Sequence, residues 1–170
     1  FGPGDETCSG SPLLESTAAV SGNGSYESAA GIVVPAGEYR WTIEYSGDSN
    51  NGPAATTCGE AEQTVTIAKA ASATVLGASP NPAASGAKVT LTATVSGYQP
   101  GGSVAFMDGS TVLGTASLDG SGHATLEVAG LASGAHTISA HYAGDGSNLA
   151  SVSPAVSEVV EAPPVPPTPQ

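Results

Sequence analysis

Few side chains in this sequence could do chemistry. Two cysteines, three histidines and only three basic residues (Arg40, Lys69 and Lys88) stand against 15 Asp and Glu in 170 residues. Cys8 and Cys58 are the only thiols. Each sits in a stretch that is longer than the matching stretch of a second, related part of the chain. Phe1–Leu13 exceeds Phe106–Thr111, and Asn50–Glu60 also exceeds its counterpart. Two insertions that each carry one cysteine read as one feature, a disulfide stapling two lengthened loops. Closing a loop of about 50 residues contributes roughly 2–4 kcal/mol and points to an oxidising compartment. The alternative is a pair of free thiols.

The other candidates fall to ordinary readings. Zinc needs three or four converging ligands, yet His123, His136 and His141 lie on two strand-like segments with no cysteine near them. His136 and His141 also differ in parity. Calcium needs six or more oxygens. The recurrent acidic loops around Asp48 and Asp145 each offer one carboxylate, and Asp and Asn in such glycine-containing segments cap tight turns through their own backbone. No metal and no cofactor is expected. No Gly-x-Ser-x-Gly elbow, phosphate-cradling glycine loop or thiol–histidine pair is present, so no catalytic residue is assigned. Lys69 and Lys88 read as solvated lysines rather than halves of an isopeptide bond. Asn23-Gly-Ser25 fits a glycosylation pattern but sits where a hairpin turn is expected.

What positions these residues is an internal repeat. Tyr39–Asp48 and His136–Asp145 align at an offset of 97, which superposes Gly37 on Gly134, Tyr45 on Tyr142, Gly47 on Gly144 and Asp48 on Asp145. Phe1 then falls opposite Phe106. Trp41, Ile43 and Tyr45 alternate with polar residues, as do Ile138, Ala140 and Tyr142. Period-two alternation places those sets on a buried face. The second copy reads as strands near 73–78, 88–96, 102–107, 111–118, 123–129, 135–142 and 152–160, separated by turn signals such as Asp108-Gly109 and Asp119–Gly122. Seven short strands in about 90 residues describe an antiparallel β-sandwich, and no stretch carries a helical period. Of the eight aromatics, Tyr39, Trp41, Tyr45, Phe106 and Tyr142 are assigned to the core, and Phe1 with them. Tyr26 and Tyr98 are left over; Tyr98 is the best exposed candidate, but a lone loop tyrosine is more often incidental than a binding residue, and no binding residue is assigned.

Ser79–Pro82, Val89–Val95, Gly102–Phe106, Asp108-Gly109, Leu113–Ala116, Gly134–Ile138 and Tyr142–Asp145 occur in an order that resembles the bacterial immunoglobulin-like repeat family over about 71–161. The first copy resembles a cysteine-containing variant, in Gly2–Asp5, Cys8–Gly10, Tyr39–Trp41, Tyr45–Asp48 and Cys58-Gly59. The resemblance implies an all-β chain of two tandem immunoglobulin-like antiparallel sandwiches on a secreted or cell-surface bacterial protein, and it brings no catalytic residue. The expected organisation is an incomplete disulfide-bearing domain at 1–69, a complete domain at 70–161, and a Pro-rich linker or tail at 162–170. The alignment of Phe1 with Phe106 leaves the first copy without its N-terminal strands. They would lie upstream in a longer array, or another chain would add strands there. In simple immunoglobulin topology the two cysteine loops start at opposite ends of the sandwich, so one must run back along the sheet for the sulfurs to meet.

Net charge narrows the partners. At −12 with three basic residues, the chain cannot neutralise a row of phosphates, which excludes nucleic acid. Anionic membranes would repel it, and no apolar run approaches the ~20 residues of a span. The expected partners are neighbouring immunoglobulin-like modules. The function read from all this is a non-catalytic extracellular stalk, spacer or filament-type module. The alternative is an adhesion module that binds a host, glycan or protein partner.

Overall fold

The computed structural model describes residues 1–28 and 31–164. The expected Pro-rich tail therefore lies mostly outside the described residues. The chain divides into two compact units, Phe1–Lys69 and a second that begins at Ala70. Both are all-β. The only helical piece among the described residues is a three-residue 3-10 turn, Ala61–Gln63.

The second unit is a two-sheet sandwich. Strands β5 (Ala73–Ser79), β6 (Val89–Ser96) and β9 (His123–Val128) form one sheet in the order β5-β6-β9. The other contains β7 (Ser103–Asp108), β8 (Thr111–Ser117), β10 (Gly134–Tyr142), β11 (Ser151–Val152) and β12 (Val156–Val160). Its path is β11-β10-β7-β8, with β12 also pairing to β10. Every ladder is antiparallel. The expected single strand 152–160 is split in two, because Pro154 has no N–H to give to the ladder. Ser153 takes its place there: its N–H donates to Ala140 O over 2.9 Å, and its Oγ accepts from Ala140 N–H over 3.0 Å.

Strict alternation builds the core. Val89, Leu91, Ala93 and Val95 of β6 face Val104, Phe106, Ile138, Ala140 and Tyr142 across the sandwich, all at 3% exposure or less. Burial contributes about 1.5–3 kcal/mol for each large side chain, and small β-branched residues let the two layers close without large voids.

The first unit contains β1 (Gly37–Arg40), β2 (Glu44–Tyr45), β3 (Ala54–Ala55) and β4 (Thr64–Ile67). They make two two-stranded ladders, β1-β4 and β2-β3. These repeat the β10–β11–β12 hairpin pair by pair. Tyr39↔Val65 corresponds to His136↔Glu158, and Tyr45↔Ala54 to Tyr142↔Ser151. Thr56 bonds Ile43 as Ser153 bonds Ala140, its N–H to Ile43 O over 3.0 Å and its Oγ from Ile43 N–H over 2.9 Å.

Two expectations about this hairpin are corrected. Trp41 and Ile43, which alternation places on a buried face, are 42% and 54% exposed, where their counterparts Ile138 and Ala140 are at 0%. The hairpin has the same alternation in both units. Among the described residues of the first unit, however, no sheet equivalent to β5-β6-β9 faces it. Second, Phe1 does not take the place of Phe106. Its ammonium donates to Arg40 O over 2.7 Å, and Arg40 N–H donates to Phe1 O. Phe106 instead pairs with Ala140, whose counterpart is Ile43, and the counterpart of Arg40 is Thr137, whose carbonyl accepts from Gly109. Phe1 thus occupies a position three residues further along than residue matching suggests.

Candidate functional site

The most elaborate polar arrangement is a seven-residue cassette at the tip of each hairpin. In the second unit, Tyr142 Oη donates to Asp145 Oδ2 over 2.8 Å. Ser147 and Asn148 N–H donate to Asp145 Oδ1, both over 2.7 Å, and Asn148 Nδ2 reaches both carboxylate oxygens over 2.9 Å. The first unit repeats this with Tyr45, Asp48, Asn50 and Asn51: Tyr45 Oη donates to Asp48 Oδ2 over 2.8 Å, and the Asn50 and Asn51 N–H groups donate to Oδ1 over 2.7 and 2.8 Å. Glycine is required two residues after each tyrosine. Gly47 and Gly144 lie at φ +86° and +83°, and a Cβ there would meet the carbonyl oxygen of Asn51 or Asn148 at 2.8 or 2.7 Å.

The electrostatics follow from those donors. The Asn50 N–H, with Tyr45 and Asn51, lowers the Asp48 carboxyl to about 2. Asp145 is held further below the ordinary carboxylate range, first by the Gly101 N–H and then by Ser147, Asn148 and Tyr142. Burial, together with the bond to Asp145, pushes the Tyr142 phenol up to about 12. A carboxylate so fully supplied with donors is a structural anion. It has no lone pairs turned toward a cation, and among the described residues no cluster of three or more His, Cys, Asp or Glu could hold a metal.

In the second unit the cassette also positions a loop. Asn148, fully buried, accepts from Tyr98 N–H over 2.7 Å and donates to Tyr98 O over 2.9 Å, while Asp145 Oδ2 accepts from Gly101 N–H over 2.8 Å. Tyr98 is therefore half-buried and pinned through its backbone, not a free loop tyrosine. The signal for this lies in Asn51 and Asn148, which coincide at the offset of 97, whereas the turn reading of these acidic loops accounts only for local capping.

Cys8 and Cys58 are joined by a disulfide with Cα atoms 5.8 Å apart. Asp5 shapes the first loop by accepting from the Thr7, Ser9 and Gly10 N–H groups, and Cys8 sits at φ +52° within it. The Cys58 insertion is not at a sandwich end. Thr56 bonds Ile43 and Gln63 O accepts from Trp41 N–H, so residues 57–62 interrupt the returning strand at mid-height, where the second unit has only Pro154 and Ala155. Neither loop has to run the length of the sheet.

The histidines do not converge. His123 Nδ1 bonds Thr94 Oγ1 over 3.0 Å, and His141 Nε2 bonds Ser139 Oγ over 3.0 Å. His136 faces Asp108. Lys88 makes an exposed ion pair with Glu127 over 2.9 Å. An open apolar groove of about 440 Å³ in the first unit is lined by Pro3, Leu13, Ile32, Val33 and Tyr39, and the Tyr39 hydroxyl is used in donating to Pro35 O. No helix among the described residues is long and apolar enough to cross a membrane.

Residues 76–161 match the family model of the bacterial Ig-like domain (group 3). The chain belongs to that family. Among solved structures it is similar to a fibronectin(III)-like module of Clostridium thermocellum CbhA, at 23% identity over 54% of this chain and 99% of that one, with a TM-score of 0.42. No curated protein matches.

Proposed function

We propose that the chain is a non-catalytic extracellular spacer of a bacterial surface or secreted protein, stacked in series with neighbouring immunoglobulin-like modules. One observation carries this reading: the polar groups that could serve chemistry are spent on the fold. Asp48 is saturated by its own turn, Asp145 by its turn together with the Gly101 N–H, and Cys8 is bonded to Cys58. The disulfide supports an oxidising location, and the acidic surface keeps serial modules soluble and mutually repelling. An array of glycans and bacterial or host surface proteins, probed with the intact chain at micromolar concentration, tests this. The spacer reading expects no saturable binding to any of them, and saturable binding through the second unit overturns it.

A second reading is favoured by the exposed Trp41–Ile43 stripe. In the second unit the same stripe is covered by β5-β6-β9, so the partner that fits it is a β-sheet layer with small apolar residues on one face, added by another chain. Trp41 is the only tryptophan, and its emission reports directly on coverage. Concentration-dependent mass by light scattering, with a blue shift that Ile43→Asp abolishes, supports strand addition between chains. A constant monomer mass with solvent-type emission at every concentration rejects it.

A further inference from the structure

The second unit contains an ionisable cluster that the hairpin itself does not need. His136 of β10 and Glu158 of β12 are directly opposed and share the inward parity of Ile138 and Val160. In the first unit the same pair of positions is Tyr39 and Val65, and the hairpin forms with the same register. The replacement of that pair by histidine and glutamate therefore calls for its own explanation.

Both ring nitrogens of His136 face acceptors. Nδ1 lies 2.6 Å from Asp108 Oδ2, and Nε2 lies 2.8 Å from Ala132 O. A carboxylate and a carbonyl cannot donate, so both contacts are satisfied only when each nitrogen carries a proton, which is the imidazolium. Asp108 is held in place through its other oxygen, which accepts from Thr137 N–H over 3.1 Å. Glu158 is the inverse case. It is fully buried and neither carboxyl oxygen meets a hydrogen-bond donor. An ionised carboxylate without donors is costly in that setting, and the neutral acid costs far less. The titratable groups that face His136 are Asp108 from β7 and Glu158 from β12.

We propose that His136, Asp108 and Glu158 form a pH-sensitive latch that clamps the last strand, β12, onto β10 in mildly acidic conditions and releases it as the pH rises. Loss of the His136 proton leaves a lone pair facing an oxygen. Ionisation of Glu158 places an unpaired charge in the core, which is relieved only when water enters between β12 and the opposite sheet.

The Ala132 carbonyl, and then Asp108, raise the His136 pKa, while burial raises that of Glu158 and the imidazolium opposes this in part. Both groups are thus raised above their unfolded values. Their contributions are fully present below those values, ~4.5 for the acid and ~6.5 for the imidazole, and are lost as pH rises through the folded ones. Strand β12 is the element biased because it carries Glu158 opposite His136.

The test uses the intact, oxidised chain. Amide-exchange protection of β12 is followed by NMR from pH 5.5 to 8.5, together with the titration of the His136 ring. Ser157 and Val159 turn their backbone toward Asn81 and Ala83, so the amides of Glu158 and Val160, opposite His136 and Gly134, report on the latch. Their protection should fall by at least tenfold toward pH 8.5, and His136 should titrate above the ~6.5 of a free histidine. The double variant His136→Tyr, Glu158→Val installs the first unit's pair and should flatten the protection profile. The melting point of the second unit, which drops by about 5 °C over this range in the wild type, should then hold constant. Should the double variant fail to fold, Glu158→Gln keeps the shape without the charge, and it should lose the part of the profile above the raised glutamate value. A pH-independent β12 in the wild type, a His136 that titrates at or below ~6.5, or a variant that keeps the full wild-type profile would each overturn the latch.

Discussion

The Tyr142 hydroxyl donates to Asp145 three residues later over 2.8 Å, and this bond fixes the tip of the hairpin on which the second unit is built. The buried phenol and the fully buried Asn148 depend on the same carboxylate. One side chain therefore connects the β10–β11 turn to the loop at Tyr98.

Asp145→Ala should destabilise the second unit by about 3 kcal/mol at pH 7, since it strips partners from two buried polar side chains. Urea denaturation at neutral pH measures this. Because the Asp145 pKa is depressed in the folded state, its contribution is present above the ordinary value of 3.8 and is lost as pH falls through the folded one. The gap between wild type and Asp145→Asn should accordingly narrow below about pH 3.

Gly144→Ala should cost about 1–3 kcal/mol, because alanine at φ +83° is strained and its Cβ would crowd Asn148 O at 2.7 Å. Gly146→Ala, two residues along and open on all sides, is the control. Equal melting points for the two variants would show that the cassette is not rigid.

Neither EDTA nor millimolar calcium should move either melting transition by more than about 1 °C. A ligand that binds only the native state must stabilise it by mass action, and the carboxylates of Asp48 and Asp145 already hold their full set of donors. A calcium-dependent rise measured by differential scanning calorimetry would contradict the turn assignment.

The repeat was legible because its cassette is local. Tyrosine, glycine, aspartate and asparagine act on one another within seven residues, and the second-unit strands follow from alternation and turn chemistry. The exposure of Trp41 was not legible, since parity shows which side a residue faces but not whether another sheet covers it. The placement of Phe1 failed for a related reason. Register is set by backbone hydrogen bonds to Arg40, and matching phenylalanine to phenylalanine ignored them. Glu158 was hidden within an apolar run read as one strand, where only the break at Pro154 and the partner across the ladder reveal that it points inward.

Reduction should lower the melting point of the first unit and leave the second unchanged. Tyr39 and Gln63 are the only buried residues among those described in the first unit, so the Cys8–Cys58 bond carries much of its stability, roughly 2–4 kcal/mol. Calorimetry with and without reductant gives the result, and a first transition indifferent to reductant would contradict this.

The proposed spacer role requires units that resist extension as folded bodies. Pulling the intact chain from its ends in a single-molecule force experiment tests that most directly. The oxidised chain should show one cooperative unfolding event for the second unit, while the 50-residue span between Cys8 and Cys58 stays locked. Added reductant should release a further length of about 170 Å, at ~3.4 Å per residue. A second unit that extends smoothly without a discrete event, or a locked span already free in the oxidised chain, would contradict the claim.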